Sequence, residues 1–146
     1  MVCLPSLVTE RIESVKAGIL AAAVFGLMDA LVILLNHSLR NLEIDWQMWQ
    51  ITSVSDLAWR LAIAIMSGFL FGVTYRYLIR GDRNNHLQEG AILAFGLVRG
   101  LALIEGTAVT PLWLLLIVES VGCFAIASLS LNSAMKFKLI KPFIMH

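Results

Sequence analysis

Five ionisable residues stand within or beside the apolar stretches of this chain: Asp29, Arg99 and Glu119 inside them, Arg60 and Glu105 nearer their far ends. In hydrocarbon an unpaired charge costs ~2.5 to 3.5 kcal/mol even on mild insertion scales, so each needs a partner or a purpose. Depth counting puts Arg99 near the middle of the third stretch, with Glu119 on the adjacent antiparallel fourth, which suggests one pair. Asp29 and Arg60 fall toward the same side on the first and second and suggest another. Such pairs fix helix register, because breaking one orphans a buried charge. Two chemical uses compete with that reading. Asp29 or Glu119 could cycle a proton or hold an ion, or an Arg99–Glu119 pair could free a carboxylate oxygen to ligate a metal or pigment. Arg60 also has a local partner in Asp56, four residues earlier.

Other reactive types add little. His37 falls at the far interface, His86 in a basic loop and His146 at the terminus, so none lies in mid-membrane as an axial ligand would. Each reads as a solvated loop residue, His37 being the candidate if a tetrapyrrole binds. Cys3 and Cys123 read as plain thiols, with no metal knuckle or disulfide framework between them. The chain has no Ser/His/Asp set, no His-Glu-x-x-His, no P-loop and no Cys-x-x-Cys, and it is expected not to be an enzyme.

The residues that must position these charges are overwhelmingly apolar. Of 146 residues 59% are hydrophobic and 14% charged, with a mean hydropathy of +0.83, against roughly 25% charged in a soluble domain. A formal net charge of +1 offers no basic face for nucleic acid. Apolar runs at about 17–36, 57–79, 90–108 and 111–132 each approach the ~20 residues that cross a bilayer as a helix. The expected fold is therefore all-α, a single integral membrane domain over residues 1–146 built as a bundle of four transmembrane helices. Arg11 and Lys16 before the first run imitate a signal peptide, yet the run is long and contains Asp29, so it is expected to stay as a helix.

Lysines and arginines sort by side. Arg11 and Lys16, then Arg76, Arg80 and Arg83, then Lys136, Lys138 and Lys141 share one side, which places both termini in the cytoplasm or stroma. Across the membrane, the long loop after the first helix carries Trp46 and Trp49, with Trp59 beyond them, as interfacial anchors on a short surface helix or as a docking surface. Tyr75 and Tyr77 anchor the opposite interface, where Arg76, Arg80 and Arg83 form a surface suited to lipid headgroups. The minimal connection Gly106–Pro111 makes the last two helices a tight hairpin.

Lipid supplies no hydrophobic drive for helices to meet, so close approach through small residues must contribute. Gly18, Ala22 and Gly26 are four apart in the first helix, Gly68 and Gly72 in the second, Gly96 and Gly100 in the third. These stripes are expected to pack within the bundle, a homodimer seam being the rival use. Asp29 shares their side of the first helix and should face protein.

The segment from Gly72 to Glu105 carries a tyrosine-rich helix end, then Arg80, Asp82 and Asn84, then Gly90, Ala94, Phe95, Gly96, Leu97, Val98, Arg99 and Gly100. In this block, about a quarter of the chain, it resembles small integral membrane proteins of cyanobacteria and plant plastids. That resemblance implies a thylakoid setting and photosynthesis but no reaction. The expected function is a non-catalytic accessory or assembly subunit of a larger membrane complex, such as a photosystem, in contact with membrane lipids. No cofactor is expected, with chlorophyll or carotenoid the pigments such a complex would bring. The alternative is a small, oligomeric transporter or channel whose intramembrane charges line a path.

Overall fold

A chain this apolar can satisfy its backbone in lipid only within its own segments, which selects helices. The computed structural model describes residues 7–39, 53–79, 85–104 and 113–140. They form α1 (Leu7–Leu39), α2 (Val54–Leu78), α3 (Asn85–Ala102) and α4 (Trp113–Lys136). Ser53 caps α2, its extended backbone (φ −139°, ψ 152°) letting its side chain accept from the Ser55 N–H. Three helical segments are long and apolar enough to cross a membrane: Val8–Leu35, Val54–Leu78 and Trp113–Lys136.

Small residues set how the helices meet. A Cβ added to Gly72 would lie 2.5 Å from the Ala17 carbonyl oxygen, and one on Gly68 would lie 2.8 Å from Phe25 Cβ and 3.0 Å from Ala22 Cα. Gly18 admits Phe69 and Val73, and Gly26 faces Ile65, so α1 and α2 run antiparallel with their backbones close. Gly96 and Gly100 likewise admit Val121 and Ile117, pairing α3 with α4. All three stripes therefore pack inside the bundle. The two hairpins join chiefly through α1 against α4. Leu7, Leu78, Asn85 and Lys136 share the near end, while Val54, Ala102 and Trp113 share the far end.

Midway, one phenyl ring from each helix joins a common cluster. Phe25 lies 4.4 Å from Phe124 between centroids, Phe71 lies 5.0 Å from Phe124 and 5.5 Å from Phe95, and Phe95 lies 5.8 Å from Phe124. Tilted and edge-on rings of this kind gain somewhat beyond their buried area.

Helix limits differ from those read in the sequence. α1 starts at Leu7 rather than near 17, because the polar turns through Glu10 and Ser14 are held by α2 and not by lipid. α3 is the larger correction: it spans 85–102, not 90–108, opening on polar Asn85, His86, Gln88 and Glu89 and closing in a turn at Leu103 and Ile104. A fourth membrane-length apolar helix is not among the described segments. α4 runs four residues beyond the expected end. It closes with Lys138 N–H bonding the Met135 carbonyl and Leu139 N–H the Ala134 carbonyl, around Lys138 in the left-handed conformation (φ 57°). The expected surface helix with Trp46 and Trp49, and the Gly106–Pro111 turn, lie outside the described residues.

Candidate functional site

The antiparallel register brings one charge from each helix to a single layer toward the far end. Asp29 lies one turn beyond Phe25 on α1, Arg60 two turns into α2, Arg99 in the last turn of α3 and Glu119 two turns into α4. Arg99 Nη2 donates to Asp29 Oδ1 at 3.0 Å, both residues being buried. Arg60 Nε stands 3.7 Å from Asp29 Oδ2, and Arg60 Nη2 stands 4.0 Å from Glu119 Oε1. The Arg99 guanidinium also sits 4.8 Å from the Phe25 ring centre, so successive turns of α1 offer it a π face and a carboxylate.

This arrangement corrects two readings. Arg99 lies in the last turn of α3 rather than at mid-helix, because α3 ends at Ala102. Its hydrogen-bonding partner is Asp29 across the bundle, not Glu119 on the neighbouring helix, since Gly96 and Gly100 draw the other face of α3 against α4. Arg60 is the residue that links the two acids, and its expected approach to Asp29 is present.

Asp29 Oδ2, Arg99 Nε and Ser120 Oγ are among the buried atoms of the layer that make no hydrogen bond to the described chain. Ser120 falls beside Asp29 by register, since Phe25 and Phe124 touch and both helices advance one turn from them toward the far end. No sequence signal marked Ser120, a small hydroxyl in an apolar run.

A second polar layer ties the near end. Arg76 was expected at the surface with Arg80 and Arg83, yet it is buried: its Nη2 donates to Glu10 Oε2 at 2.6 Å, and its Nη1 to Ser14 Oγ at 2.7 Å and to the Glu10 carbonyl at 3.1 Å. α1 continues far enough toward the near end to cover it. Tyr75 was expected as an interfacial anchor and is also buried. Its hydroxyl stands 3.1 Å from Gln88 Oε1 of α3 and 3.3 Å from Asn132 Oδ1 of α4, able to donate to either. Tyr77 is partly exposed, and its hydroxyl accepts from Ser14 at 3.1 Å. Glu10, Ser14, Gln88 and Asn132 were missed in the sequence, because each reads as an ordinary polar residue at a helix end.

Trp59, expected as an interfacial anchor, is 71% exposed near the far end of α2. Glu105, Trp46, Trp49, Arg80, Arg83 and the side chain of His37 lie outside the described residues. His86 is exposed in the first turn of α3, 3.8 Å from Glu89. Cys123 is buried with a free thiol. Among the described residues no group of three or more His, Cys, Asp or Glu side chains could hold a metal ion. No protein-family model, curated protein or solved structure matches this chain.

Proposed function

We propose that this chain is a non-catalytic accessory or assembly subunit of a larger membrane complex, in a photosynthetic, thylakoid membrane. One observation carries the accessory reading: the buried charges Asp29, Arg76 and Arg99 meet opposite charges inside the same bundle. Charge committed to holding helices together leaves recognition to the outer faces. Those faces are apolar over much of α1, α2 and α4, with Leu27, Leu34, Met66 and Val118 among the exposed side chains. The photosynthetic setting rests on the resemblance carried by residues 72–105.

In this reading α3 crosses as a fourth span. Its apolar part runs from Gly90 toward Ala102, and its polar first turns stand at the near interface beside Lys136 and Lys138. With basic residues gathered at the near end, that end and both termini face the cytoplasm or stroma.

The layer of Asp29, Arg60, Arg99 and Glu119 favours a second reading, a small transporter or channel whose path begins at that layer. Gentle-detergent purification of the tagged chain from its native membrane separates the two. Stoichiometric photosystem or other complex subunits in the eluate, with their pigment absorption, support the accessory reading. A colourless, self-associated protein overturns it and directs attention to ion flux. Asp29→Asn then discriminates further, because under the transport reading it abolishes flux while leaving abundance unchanged.

A further inference from the structure

Three buried hydrogen-bonding atoms share the charge layer, and they are complementary. Asp29 Oδ2 can only accept, Arg99 Nε can only donate, and Ser120 Oγ can do either. The Arg60 charge 3.7 Å from Asp29 Oδ2 offsets part of that oxygen's desolvation but leaves it without a hydrogen bond, and a buried water typically makes about three hydrogen bonds to such groups. The layer is also graded in exposure. The Asp29 side chain is fully buried, whereas the side chains of Arg60 and Glu119 keep 15% and 14% of their exposure. On the near side of the layer stand the rings of Phe25, Phe71, Phe95 and Phe124, which offer water no hydrogen bond.

We propose that the layer is a water-binding site hydrated from one face only: water passes Arg60 and Glu119 from the far end, bonds Asp29 Oδ2, Arg99 Nε and Ser120 Oγ, and stops at the phenyl rings. The ligand class is water, and the inference holds whether or not the chain is an accessory subunit. Hydration from one side opens the polar layer to the far compartment and insulates it from the near one.

Cysteine accessibility tests this directly. In a chain with Cys3→Ala and Cys123→Ala, Ser120→Cys is reconstituted in liposomes and treated with a charged, membrane-impermeant thiosulfonate applied to each face in turn. Ser53→Cys, exposed at the far end of α2, reports which face is being reached. The expected result is labelling of Ser120→Cys from the far face and none from the near face. Ser128→Cys, one turn past the phenyl layer, stays unlabelled from the far face. Folded Ser120→Cys that is unreactive from both faces, or labelled from the near face, overturns the proposal.

The unaltered chain gives an independent readout should the variant not fold. With nitrogen-15 arginine, the Arg99 Nε–H signal is expected to vanish within minutes of transfer to D2O. Persistence over days means a dry layer and also overturns the proposal.

Discussion

Asp29 is the acid on which the far-end layer turns, since it accepts a hydrogen bond from Arg99 and stands within ion-pair distance of Arg60. Asp29→Leu leaves the Arg99 guanidinium buried without its carboxylate and is expected to cost about 3–5 kcal/mol of stability. Reversible unfolding in mixed micelles would measure it. The double variant Asp29→Leu with Arg99→Leu removes both charges together and should lose less than the two single variants summed; strict additivity would deny the coupling. That Asp29 faces protein was legible from its alignment with Gly18, Ala22 and Gly26. That Arg60 approaches it was legible as well; that Arg99 hydrogen-bonds it was not, because the rotation of α3 about its axis decides whether Arg99 turns to α1 or α4. Arg76 shows the converse: in sequence it is one basic residue of a loop, and the unseen Glu10 made it interior.

At the scale of elements, the small-residue stripes predict two opposite outcomes for one type of substitution. Gly72→Ala would push a methyl against the Ala17 carbonyl and should cost about 1–3 kcal/mol, as overpacking does. Gly122→Ala meets nothing within 4 Å and should leave stability unchanged or raise it by up to about 1 kcal/mol through helix propensity. Equal effects in the same unfolding assay would deny that Gly72 marks a close approach. At the end of α4, Lys138 holds a left-handed backbone (φ 57°) that glycine adopts without steric penalty. Lys138→Gly should stabilise the chain by about 1 kcal/mol, read as a rise in the unfolding midpoint. Helix existence and pairing faces were legible here, since they follow from hydropathy and from four-residue spacing. Helix ends were not: α1 begins earlier because Arg76 sustains its polar turns, and α3 stops earlier after an opening too polar for lipid.

Across the whole molecule, α1 to α4 each give one charged side chain to the charge layer and one ring to the phenyl layer, and all four contribute polar side chains at the near end. A bundle built this way should loosen at one end when one network is cut. Tyr75→Phe removes the hydroxyl that α2 presents to Gln88 and Asn132. It should cost roughly 0.6–1.7 kcal/mol, the range for hydrogen bonds between membrane helices. Hydrogen exchange is expected to rise in the first turns of α3 and the last turns of α4 while the far-end turns around Arg99 stay protected. Uniform loosening would deny that the two ends are held separately.

The sequence by itself determined that the chain carries helices long and apolar enough to cross a membrane, that its helices alternate in direction, and which faces carry small residues. Those properties depend on local composition and on spacing along one helix, where each residue's contribution can be read without knowing its neighbours in space. Only the tertiary structure decided that Arg99 meets Asp29, that Arg76 and Tyr75 are interior, and that Ser120 stands beside a buried carboxylate. Partner choice among buried polar groups depends on the axial register and rotation of four helices at once, and an apolar stretch can be turned through many angles without changing its hydropathy.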